Sequence, residues 1–154
     1  MISGLLIASG GFLLAILWMD LMFDVQVCPY LRREAELPED VLASIGSYYR
    51  RVTTTAAPMG HLVGAAMAIT VMSLAFELVV GREPRWLTLA SFAFAGGPIA
   101  LAVARVVPNA IRLGARSDSR SRQSALARAI CRDHLLCFAG IVTFLVLRLW
   151  AVAG

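Results

Sequence analysis

Lysine is absent from this chain; all 14 cationic residues are arginine. That is the usage of a GC-rich bacterial coding sequence rather than a sign of particular chemistry. Charge is also scarce, at 16 % of residues, where a soluble domain carries about 25 %. The three cysteines, Cys28, Cys131 and Cys137, form no CxxC spacing, which argues against a thiolate metal centre. They are expected to be small buried apolar residues. Only two histidines occur, His61 and His134, and the ExxH pairs of di-iron bundles are missing. A net charge of +4 could suggest nucleic acid, but 154 residues leave no room for a soluble domain to carry such a function.

What is abundant is long apolar sequence. Hydrophobic residues make up 59 % and mean hydropathy is +0.76. Four apolar runs, roughly 1–27, 53–80, 86–111 and 129–152, each approach the ~20 residues needed to cross a bilayer. The first has no basic leader and no small-residue cleavage site, so it is expected to remain as a helix. The fold expected is an all-α bundle of four transmembrane helices in one domain, with helices near 1–27, 38–80, 86–111 and 125–152. Pro38, Glu39 and Asp40 open an amphipathic segment in which Val41, Ile45, Tyr48 and Val52 recur at helical spacing. That segment extends the second helix into the cytoplasm, with a kink expected at Pro58. In the third helix Gly96, Gly97 and Pro98 fall near mid-membrane and should bend it.

Arginine placement sets the expected topology. Eleven of the 14 lie on the side of the 28–52 and 112–128 loops, against Arg82, Arg85 and Arg148 on the other. The positive-inside rule makes the first side cytoplasmic. Both termini then face the periplasm or cell exterior, and the membrane is the bacterial inner membrane. Arg148 is expected to snorkel to the interface beside Trp150. Gly60 and Gly64 form a GxxxG face suited to a helix contact within the bundle, in a homo-oligomer or in a larger membrane complex.

The strongly polar residues of the spans gather toward one end. Asp20, His61, Arg105 and His134 come from four different helices. At ~1.5 Å per residue, all lie roughly 27–28 Å from the opposite helix ends. Asp24, Asn109 and Arg112 sit about one turn further out, and Asp133 adjoins His134. Ionisable groups at that depth face the interior or pair with one another. Asp20 and Arg105 are the expected pair. Asp133 and His134, about 100° apart on a helix, must address different neighbours.

These eight residues are the candidate pocket, and several readings of them stand. One is a site between the Pro98 kink and the polar level for a small aromatic or quinone-like molecule, walled by Trp18 and Met22. It needs no cofactor, and a histidine serves as base. A second is haem held by His61 and His134. A third is an accessory or assembly subunit without chemistry.

Three stretches carry a family likeness: WMDLMFDVQVCPYLRR closing helix 1, YYRRVTTTAAPM entering helix 2 and VVPNAIRLG closing helix 3. Their layout resembles the anthrone-oxygenase-like family of small four-helix membrane proteins. That resemblance implies cofactor-free action on aromatic polyketides. The end of helix 1 is also similar to that of the small haem-dependent protoporphyrinogen oxidase. The latter layout implies a haem histidine inside helix 1, where this chain has none.

Overall fold

The computed structural model describes residues 2–32, 35–81 and 83–153. Arg33 and Arg82, two of the arginines used for topology, lie outside them. The described chain is all-α. Helix α1 spans Ile2–Asp24 and runs into a 3-10 turn, Val25–Tyr30, that contains Pro29. Helix α2 spans Glu39–Arg50, α3 Ala57–Val80, α4 Arg85–Ala115 and α5 Arg120–Ala153. The α1 segment through Tyr30, together with α3, α4 and α5, gives four helices long and apolar enough to cross a membrane.

Three π-helical turns interrupt this regularity, at Arg51–Thr55, Phe92–Gly96 and Ala102–Val106. Each is followed within a few residues by a proline: Pro58, Pro98 and Pro108. A helical proline donates no N–H and its ring crowds the carbonyl four residues back, so the preceding turn widens. The expected continuous second helix is therefore broken. Ala56 leaves helical geometry at φ −95° and ψ 40°, and α2 and α3 are separate elements. Thr53, Thr54 and Thr55 each donate a side-chain bond to the carbonyl four residues back.

Helix α1 packs along both α3 and α5, and α2 lies against the end of α4. Glycine permits the close approaches. A Cβ on Gly10 would meet the Phe144 ring at 2.7 Å, and one on Gly140 would meet Pro98 Cγ at 2.5 Å. Gly11, Gly60 and Gly64 have open space there, so the GxxxG face of α3 is not an internal contact.

The buried side chains form two apolar clusters. One joins Val27, Leu37, Leu42, Ile45 and Tyr49 to Val106, Leu113, Leu126 and Ile130 at the α2 end of the bundle. The other joins Leu6, Leu74, Ala95, Ile141, Phe144 and Leu145 toward the opposite end. The stripe of α2 that faces inward is Leu42, Ile45, Gly46 and Tyr49, one residue round from part of the expected stripe.

Candidate functional site

Between the two clusters lies a cavity of about 120 Å³ with walls from all four spans. Leu13, Ile16, Leu17 and Val63 form part of an apolar lining that continues through Pro98, Ala102 and Ile141. Its charged or titratable lining consists of Asp20, His134 and Cys137. Pro98, which follows the Phe92–Gly96 π turn, and the polar level thus border one space. Trp18 and Met22 do not wall it: they are 59 % and 63 % exposed and face out of the bundle.

The polar end is built from three elements. Asp20 and Asp24 are one turn apart on α1 and share a face. Tyr48 and Tyr49 come from the last turn of α2, and His134 from α5. Asp24 is fully buried. It accepts the Tyr49 hydroxyl at 2.7 Å on one oxygen and faces His134 Nδ1 at 2.7 Å with the other. Asp20 accepts the Tyr48 hydroxyl at 2.5 Å, and its second oxygen stands 3.8 Å from His134 Nε2. The Tyr48 ring stacks on Phe23 at 3.9 Å, which holds the phenol over the end of α1.

Protonation follows from this network. Asp24 takes bonds on both oxygens, as a carboxylate does, so His134 presents Nδ1–H to it. In the neutral ring Nε2 then carries the lone pair. A separation of 3.8 Å between Nε2 and Asp20 exceeds a hydrogen bond. One polar atom placed beside both could nevertheless lie at about 2.8 Å from each. With the ring neutral, the cavity ends in two neighbouring acceptors, Nε2 and an Asp20 oxygen, and suits a ligand atom that donates; with the ring protonated, Nε2 donates instead. Burial, followed by the Asp20 charge, raises the Tyr48 pKa above the ordinary value; burial, followed by the Asp24 charge, does the same for Tyr49. Both phenols remain donors at neutral pH.

The other candidates are placed differently. Arg105 does not pair with Asp20. Its Nε lies 3.3 Å from Asp133, which is buried while Arg105 is largely exposed. Asp133 and His134 do face different neighbours. His61 is exposed on α3 and is not part of the cavity lining, so the structure does not bring it to His134. Asn109 is half-buried. Arg112 turns to Asp118 at 2.9 Å. Among the described residues, no group of three or more His, Cys, Asp or Glu side chains is arranged to hold a metal ion.

Sequence reasoning missed two participants. In the sequence Tyr48 belongs to an apolar stripe, and both tyrosines open the stretch YYRRVTTTAAPM. The clue was two phenols arriving beside two carboxylates at one helix end. Glu77 and Arg148 form a second buried polar pair toward the other end of the bundle. Arg148 is 1 % exposed, so it turns inward instead of snorkelling to the interface. A lone glutamate within one span and a lone arginine near the matching depth of another were its signal.

No family model matches the chain, and no curated protein or solved structure matches it either.

Proposed function

We propose that this chain is an integral membrane protein that holds a small, largely apolar molecule in the cavity between α1, α3, α4 and α5. The polar end of that molecule is a hydrogen-bond donor, such as a phenol or other hydroxyl. One observation carries the reading: a fully buried carboxylate fixes His134 through Nδ1, while the Nε2 edge faces Asp20 at the polar end of an apolar cavity. An imidazole oriented in this way accepts a proton at Nε2, and Asp24 stabilises the imidazolium that results. The site is thus equipped for reversible proton removal from a bound hydroxyl or an acidic C–H. Tyr48 and Asp20 fix the donor's position.

Native mass spectrometry on protein released from its own membranes tests occupancy. A small-molecule adduct should accompany the wild type and be lost from Ala102→Leu, which fills the cavity. Repeated preparations with no adduct and no binding of added hydroxyaromatics would reject the reading.

The arginine distribution supports a bacterial inner-membrane setting with cytoplasmic α2 and both termini on the opposite side. A reporter active only in the cytoplasm, fused at the C-terminus, should be silent. The second reading is an accessory or assembly subunit. It is favoured by the open face at Gly60 and Gly64 on α3, which suits a second copy or another membrane helix. In that case native spectra would show a stable complex and Gly64→Leu would dissociate it.

A further inference from the structure

Cys28 and Cys131 come from opposite parts of the chain, yet their sulfurs are 4.0 Å apart. Both approach the same acceptor, the Asp24 carbonyl oxygen, at 4.0 Å for Cys28 and 3.7 Å for Cys131. The two differ in access: Cys28 is exposed and Cys131 is buried. They also differ in backbone stiffness. Cys131 sits inside the long α5 helix, whereas Cys28 belongs to the short 3-10 turn next to Pro29. Cys137, by contrast, points its sulfur at the Pro98 carbonyl, 3.5 Å away.

We infer that Cys28 and Cys131 are a redox-responsive dithiol that closes to an intramolecular disulfide when a peroxide reaches Cys28. The exposed thiolate of Cys28 attacks one peroxide oxygen and breaks the O–O bond. This gives a sulfenic acid and, after protonation of the leaving oxygen, water or an alcohol. The Cys131 thiol then gives up its proton as its sulfur attacks the Cys28 sulfur, and the sulfenic oxygen leaves with that proton as a second water. Two thiols lose two electrons and the peroxide gains them. The sulfurs must come from 4.0 Å to about 2.05 Å, a movement the 3-10 turn can supply by rotation at Cys28. A disulfide on the reducing side of a membrane is expected to be transient and regulatory. The bond would tie the end of α1 to α5 one turn from His134, beside the peptide group of Asp24. It stands independently of any ligand in the cavity.

Intact-mass and thiol-alkylation measurements on the purified full chain, titrated with hydrogen peroxide, test this. Wild type and Cys137→Ser should each lose 2 Da and two alkylatable thiols, as a monomer, reversibly with a thiol reductant. Cys28→Ser and Cys131→Ser should not lose 2 Da. In Cys131→Ser the oxidised species should be a sulfenic acid on Cys28 that dimedone traps. Failure of the wild type to lose 2 Da would overturn the inference, as would a 2 Da loss that requires Cys137. So would cross-linking only between chains.

Discussion

Asp24 and His134 are joined by a 2.7 Å contact from carboxylate to Nδ1 across 110 residues of sequence. It links the end of α1 to the middle of α5 at a point where neither group meets solvent. The Tyr49 hydroxyl completes the acid's coordination. Removing the carboxylate leaves two buried donors without an acceptor. Asp24→Ala should therefore lose about 2–6 kcal/mol, the sum of two unsatisfied buried groups. Asp24→Asn, which keeps one oxygen, should lose less. Thermal or denaturant unfolding in mild detergent gives both values. A double-mutant cycle with His134→Ala should show coupling of about 0.5–3 kcal/mol.

The two phenols give a pH prediction. Tyr48 and Tyr49 titrate above the ordinary tyrosine value because of burial and then the neighbouring carboxylates. A raised folded-state pKa contributes stability that is fully present below about pH 10. The unfolded chain begins to release the proton there while the folded chain keeps it, so stability falls as pH rises further. Native protein titrated between pH 9 and 11 should show the same tyrosinate absorbance as the Tyr48→Phe and Tyr49→Phe variants. Differences should appear only after unfolding. A native-state absorbance drop in either variant would mean that its phenol is open to water.

At the other end, Arg148 and Glu77 are both buried and ion-paired. Among the described residues, each also keeps one buried polar atom without a hydrogen-bond partner, Arg148 Nη1 and Glu77 Oε2. Breaking a buried pair strands a charge, so Arg148→Ala or Glu77→Ala alone should cost about 3–5 kcal/mol. The double change Glu77→Leu with Arg148→Met should recover most of that, because an apolar pair of similar volume needs no desolvation. Melting of the three variants in one detergent is sufficient.

Glycines separate the packed faces from the open ones. Gly140→Ala forces a Cβ to 2.5 Å from Pro98 Cγ and 3.0 Å from the Phe94 carbonyl. The expected loss is about 1–3 kcal/mol. Gly11→Ala meets nothing within 4 Å and should leave the melting temperature unchanged or slightly higher.

Much of this was legible in the chain because the membrane imposes long apolar runs. The four spans followed from run length, an irregular helix around Pro98 from its missing N–H, and the convergence of Asp20, Asp24 and His134 on one end from depth. Depth, however, is only one coordinate. His61 matches Asp20 in level, but helix rotation turns it outward. The same missing rotation paired Arg105 with Asp20 in sequence reasoning, where the fold gives it Asp133. Trp18 and Met22 fell on the outer face for that reason too. The tyrosines escaped because the path of α2 back onto α1 is set by contacts such as Gly114 against Arg50, where a Cβ would meet backbone at 2.6 Å. No periodicity announces that approach.

The most direct test compares phenol with benzene, two probes of nearly equal shape that differ by one hydroxyl. Binding is measured to the full chain in lipid nanodiscs. The wild type should prefer phenol by about tenfold, or about 1.4 kcal/mol, the scale of one good hydrogen bond. The preference should vanish in His134→Phe and Asp20→Leu, while benzene binding persists in both and is lost in Ala102→Leu. Equal affinity of the wild type for the two probes, or a preference that survives both substitutions, would contradict a donor-accepting site at His134 and Asp20.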